Sequence, residues 1–243
     1  MRIVIAEDDP FHRAFLRSAL IDTLPDPLEI EEAGDGARAV ELARQRPTDA
    51  LVLDLQMPKM SGAEAARIIW ADDPNVKILF WTNYSDEAYV RGVSKIVPAN
   101  TVYGYVLKSS PEERTKFAMR AIFLEDQCIV DREVWGVQQR STSRIEGLTD
   151  LEYEVLIDIA LGLTDRGISV RRNLSTRGVQ SRLRHLYQKL GLDVLAAGQE
   201  GNADFYNLRA RAVYCAIARR LLNPDLMGSE DRKFKDWQDS LRK

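Results

Sequence analysis

Two hydrophobic rhythms alternate along the first half of the chain. Ile3–Ala6, Ala50–Leu53, Lys77–Trp81 and Thr101–Leu107 are short runs rich in apolar residues, the length of buried strands. Leu28–Ala33 is a weaker run of the same kind. Between them, apolar residues fall three and four apart. Pro10 opens one such stretch, with Phe11, Phe15, Leu16, Ala19 and Leu20 at helical spacing. Gly34-Asp35-Gly36 turns into a helix over Ala37–Arg46. Ser61-Gly-Ala-Glu64 has the form of a capping box before Ala63–Trp70. A further helix starts near Asp86. Ser110-Pro-Glu-Glu113 combines a cap, an early proline and early acid ahead of Pro111–Leu124. Strict βα alternation predicts an α/β doubly wound, five-stranded parallel sheet with helices on both faces.

The rhythm then changes. Gln127–Ile145 lacks sustained helical periodicity, and its later part, ending in QQRSTSR, reads as linker. Thr149-Asp-Leu-Glu152 is another capping box, opening a helix over Leu151–Leu161 that Gly162-Leu163 closes. Thr164 caps a short helix to about Arg171. Ser175 caps a third, Thr176–Leu190, with Gly191 as its stop. Asp204–Leu222 is a helix apolar nearly all round, able either to dimerise or to close a small core. Beyond Pro224, Phe234, Trp237 and Leu241 mark one face of a short amphipathic helix, read as docking on its own chain in preference to binding a partner. The organisation expected is therefore 1–126, a linker 127–146, a small all-α helix-turn-helix domain 147–222, and an extension 223–243.

Charge separates the same halves. Residues 1–126 carry 15 Lys/Arg against 21 Asp/Glu, and residues 127–243 carry 19 against 16. An acidic half joined to a basic one points to a polyanion partner for the second half only. The two cysteines, Cys128 and Cys215, lack metal or redox spacing. The N-terminus reaches acidic residues after four apolar ones, so it is no signal peptide, and no apolar run approaches membrane-spanning length. The expected setting is cytoplasmic, with no membrane partner.

Chemistry gathers at the strand ends. The first predicted strand ends in Glu7 and Asp8, the third in Asp54, the fourth in Thr82 and the fifth in Lys108. In open parallel sheets that edge is where ligands bind. Clustered carboxylates repel one another, and a hard divalent cation relieves the repulsion; Mg²⁺ suits a phosphate site. The metal and Lys108 would neutralise a phosphoryl group, the Thr82 hydroxyl would donate to it, and Asp54 is the natural nucleophile for an acyl phosphate. A phosphatase of the haloacid-dehalogenase kind needs a second Asp two residues after its nucleophile, where this chain has Gln56, so no enzyme is expected.

With LVLDLQMPKMSG (51–62) and GYVLK (104–108), residues 1–125 resemble the receiver domain of two-component response regulators, a flavodoxin-like fold. The resemblance implies that Asp54 accepts phosphate from a sensor histidine kinase. It also implies that Glu7, Asp8, Asp54 and the Gln56 main-chain carbonyl hold Mg²⁺, and that Thr82 and Tyr105 are the switch pair, Tyr105 moving inward. Ser109 stands where the wider family commonly has proline, and the stretch from Thr82 to Lys108 is a few residues long. LTDLEYEVLIDIALGLT and LSTRGVQSRLRHLYQKLG resemble the LuxR-type output domain over about 148–192. The cationic helix would then enter the major groove of double-stranded DNA. Arg177, Gln180, Ser181, Arg182, Arg184 and Lys189 are its candidate contacts. Arg172 takes a usually apolar place and Gly178 one usually Thr. The function implied is a phosphorylation-dependent, DNA-binding transcriptional response regulator, homodimeric when active. The alternative is a protein-binding signalling regulator whose helix-turn-helix has lost or altered DNA binding.

Overall fold

The structure, a computed structural model, describes residues 1–136, 147–192 and 207–241. The chain divides into two compact units, one formed largely by Met1–Gly136 and the other by the remainder. In the first unit the order is β1 (Arg2–Ala6), α1 (Pro10–Thr23), β2 (Glu29–Ala33), α2 (Gly36–Gln45), β3 (Ala50–Leu53) and α3 (Gly62–Asp72). It continues with β4 (Lys77–Thr82), α4 (Glu87–Ile96), β5 (Tyr103–Leu107), α5 (Glu112–Phe123) and β6 (Ile129–Val130).

The sheet is parallel throughout, in the order β2-β1-β3-β4-β5-β6. Six strands stand where five were expected. The sixth is a two-residue strand, too short to carry a periodicity of its own, and it pairs Gly104 with Ile129 and Tyr105 with Val130. Residues 127–136, expected as the start of the linker, are therefore part of the first unit, and the later part of that linker (137–146) lies outside the described residues.

Strand alternation divides the core between the two faces. Ile3, Ile5, Val52, Leu79, Trp81 and Val106 pack with residues of α1 and α5. On the opposite face Phe80 lies between Trp70 of α3 and Tyr105, at ring separations of 5.9 and 6.2 Å. Register brings Ala6 beside Leu53, Leu53 beside Phe80 and Thr82 beside Leu107, so the strand ends form one edge.

The caps explain where the helices begin. Asp9 accepts from the Phe11 and His12 amides, Asp35 from the Arg38 amide, and Ser61 with Glu64 makes a reciprocal box. Ser110 departs from expectation. Pro111 is the residue before the first turn of α5 and no side chain caps it; the Ser110 hydroxyl donates to Asp131 instead.

The second unit contains α6 (Asp150–Ala160), α7 (Asp165–Arg171), α8 (Thr176–Lys189), α9 (Leu208–Ala218) and α10 (Pro224–Ser240). The Thr149–Glu152 box opens α6, and Thr164 and Ser175 cap α7 and α8. Leu156, Ile168, Val179, Leu186, Ala212 and Ala216 are central to its core. Only Leu208–Ala218 of the helix expected over 204–222 is helical in the described residues, because Asn207 caps it and Arg219 lies past its end. Phe234 and Trp237 of α10 stack at 5.8 Å and pack against the same core, whereas Leu241, the expected third member of that face, is exposed just past the helix end.

Arg172 stands in a place usually apolar because it has a buried partner. The fully buried Asp158 accepts from Arg172 Nε at 2.7 Å and from Arg171 at 2.6 Å. Arg171 also lies 3.5 Å from Glu230 of α10 and over the Phe234 ring. Among the described residues no helix is long and apolar enough to cross a membrane.

Candidate functional site

The strand-end edge of the first unit brings together Glu7, Asp8 and Asp54, whose nearest carboxylate oxygens all lie within 4.8 Å of one another. Glu7 and Asp54 are buried, whereas Asp8 is exposed. The chain after Asp54 is held in a tight return. The Gly62 amide donates to the Leu55 carbonyl at 3.0 Å, and a Cβ at Gly62 would fall 1.9 Å from the Asp54 carbonyl oxygen. Only a residue without a side chain admits that approach.

Lys108 closes the cluster. Its ammonium lies 2.7 Å from Glu7 Oε2 and 2.9 Å from Asp54 Oδ2, and 5.1 Å from the Trp81 ring centre. Burial alone would weaken the Lys108 cation, but its hydrogen bonds to Glu7 and Asp54 prevail and hold it above the ordinary lysine value. Burial raises Glu7 above the usual carboxylate range; the Asp54 charge adds to this, and Lys108 works against it.

Thr82 is fully buried at the end of β4, and its hydroxyl oxygen has no hydrogen-bond partner among the described residues. An orphaned hydroxyl on the same strand-end edge as the carboxylates and the ammonium suits an anionic ligand with acceptor oxygens. The converging carboxylates suit a hard cation with oxygen ligands. Tyr105, expected to move inward on switching, is already fully buried, and its hydroxyl donates to the Tyr84 carbonyl at 2.5 Å. Gln56 follows Asp54 on the loop, its amide donating to Asp54 Oδ1 at 3.4 Å.

Sequence reasoning passed over His12. Its Nδ1 lies 3.4 Å from Lys108 Nζ and 3.5 Å from Glu7, and its ring meets Trp81 edge-on at 5.3 Å. Nothing in a lone histidine one turn into a helix signals this. Asp131 was also missed, since its contacts depend on the two-residue β6.

In the second unit α8 separates the candidate DNA contacts. Arg177, Gln180 and Arg184 are exposed, with Ser181 half-buried beside them on the same face at helical spacing. Gln180 Nε2 donates to Asp165 at 3.4 Å. The other two expected contacts, Arg182 and Lys189, are engaged within the unit. Arg182 is half-buried and its guanidinium donates to the Gly178 carbonyl at 3.0 Å. Lys189 donates to the Gly147 carbonyl and to Glu152 Oε2, each at 2.8 Å. Charge along the chain does not show these partners; Glu152 lies on α6, 37 residues before Lys189, and meets it only through the packing of α6 on α8.

Residues 3–119 match the response regulator receiver domain family. The nitrate/nitrite response regulator protein NarP of Escherichia coli strain K12 is 32% identical over 199 residues, covering 79% of this chain and 89% of NarP. The oxygen regulatory protein NreC of Staphylococcus carnosus strain TM300 is 31% identical over 204 residues, covering 79% and 92%. Among solved structures, a LuxR-family two-component response regulator from Aurantimonas sp. SI85-9A1 is 27% identical with a TM-score of 0.50, over 58% of this chain and 98% of its own. RcsB from Salmonella enterica serovar Typhimurium, bound to a promoter, shares the fold with a TM-score of 0.58 at 18% identity, over 91% and 99% of the two chains.

Proposed function

The chain belongs to the response regulators that join a receiver domain to a LuxR-type output domain, and on that premise we propose that it is a transcription regulator controlled by phosphorylation of Asp54. The observation that carries the reading is the meeting of three carboxylates, the Lys108 ammonium and the orphaned Thr82 hydroxyl at one sheet edge.

In this reading an Asp54 carboxylate oxygen attacks the phosphorus of a phosphohistidine on a sensor histidine kinase. The new O–P bond forms as the P–N bond breaks, and the imidazole leaves with the electron pair. Lys108 and the Thr82 hydroxyl donate to the phosphoryl oxygens, spreading the charge of the transfer. Glu7, Asp8, Asp54 and the Gln56 carbonyl would hold Mg²⁺, which when bound supplies charge neutralisation at the phosphoryl group. The acyl phosphate adds charge and acceptor oxygens that draw on Thr82, coupling the site to Tyr105. The protein is a regulator and not an enzyme with a turnover of its own, and it works in the cytoplasm.

DNA is the output partner, through Arg177, Gln180, Ser181 and Arg184 of α8, and the active form is a homodimer. The exposed Tyr214 and Ile217 of α9 give such a dimer an apolar surface. Incubation with Mg²⁺ and acetyl phosphate should add one phosphate by intact mass, raise affinity for target duplex, and do neither in Asp54→Asn. Full labelling of Asp54→Asn would overturn the assignment.

A further inference from the structure

Lys108 is useful only if its ammonium stays at the carboxylate cluster, and the residue that follows it, Ser109, has no ring to restrict the backbone there. The chain turns sharply at this point. The Ser110 amide donates to the Leu107 carbonyl at 2.9 Å, and the Lys108 amide donates to the Thr82 carbonyl at 2.8 Å. One side chain grips both ends of that turn. Asp131 Oδ2 accepts from the Leu107 amide at 2.9 Å and from the Ser110 hydroxyl at 2.8 Å, while Oδ1 accepts from Arg114 Nε at 3.0 Å.

Asp131 is itself held from both sides. Its amide donates to the Tyr105 carbonyl and its carbonyl accepts from the Trp135 amide, each at 2.9 Å, and the residue is only 7% exposed. A buried carboxylate with three donors, one of them a guanidinium, is a strong and directional tether. It lies where β6 would otherwise have paired its next residue with β5, so the side chain completes the ladder at Leu107 and adds the link to Ser110.

We infer that Asp131 is a positioning residue for Lys108, a clamp that holds the Leu107–Ser110 turn so that the ammonium is presented to the phosphoryl group. The inference rests on the proposed role of Asp54 and Lys108. It adds a residue beyond the strand-end set, donated by the chain that leaves α5.

The test is a double-mutant cycle on the full chain, read as the affinity for beryllofluoride in the presence of Mg²⁺ by ¹⁹F NMR. Asp131→Ala should weaken binding by roughly tenfold, the scale of one charge-assisted hydrogen bond. In a Lys108→Ala background the same substitution should cost nothing further, because Asp131 acts through Lys108. Ser110→Ala should follow the same cycle with a smaller loss, and it stands in if Asp131→Ala melts at the assay temperature. Unchanged affinity in Asp131→Ala overturns the inference, as does an equal loss in both backgrounds or a Lys108→Ala chain that binds as wild type. Failure of the unsubstituted chain to bind beryllofluoride at all is a different result and removes the phosphoacceptor reading itself.

Discussion

Arg184 and Lys189 sit five residues apart on one helix, and a count of charges treats them alike. Their surroundings do not. Arg184 is exposed, whereas Lys189 is tied to Glu152 and the Gly147 carbonyl. Arg184→Ala should weaken binding to a specific and a scrambled duplex together, lowering the salt slope by about one unit, as loss of one phosphate contact does. Lys189→Ala should leave that slope unchanged and instead cost about 1–3 kcal/mol in denaturant unfolding, because the buried Glu152 loses its charged partner and keeps the Thr149 amide. Affinity against salt, and urea titration of each variant, measure both. The strand-end residues were readable one by one because each ends a visible strand. Asp131, His12 and Arg172 were not, since their partners are set by packing between segments far apart in sequence.

At the scale of the element, caps were the most informative local signal, and the boxes at Ser61 and Thr149 form as their residues imply. The box at the start of α6 has an electrostatic consequence. Burial would raise Glu152, but its hydrogen bonds from Lys189 and the Thr149 amide prevail and hold it below the ordinary carboxylate value. A carboxylate depressed in the folded state contributes stability that is full above its unfolded pKa and is lost as pH falls through its folded one. The second unit should therefore weaken as acid passes below the ordinary carboxylate range. Glu152→Gln, which retains the N3 side-chain acceptor, should lack that part of the pH dependence in urea titrations repeated from neutral pH downward; an unaltered pH profile would show that other groups carry it. Elements without periodicity fared worse. β6 has two residues, and no pattern of two can be told from a loop.

At the scale of the whole molecule, the two units have separate cores, one on the α1–α5 side of the sheet and one joining α6 to α10. Ligands of one should therefore stabilise that one. Beryllofluoride with Mg²⁺ at a hundredfold excess over its Kd should add about 2.7 kcal/mol to the first unit. Calorimetry should show one transition moved by beryllofluoride, a shift that Asp54→Asn abolishes, while duplex DNA moves the other. A single transition shifted equally by both ligands would contradict this division. The charge asymmetry along the chain separates the two halves, but composition has no marker for where one core stops.

That stopping point matters for how such proteins are recombined. A cut after Asp126, the domain end expected from the sequence, would discard Asp131 and strip acceptors from Leu107, Ser110 and Arg114. A cut after Gly136 keeps the clamp with the turn it serves. The exchangeable module is thus longer than its recognisable motif. An output domain grafted at the shorter boundary inherits a receiver whose lysine has lost its support.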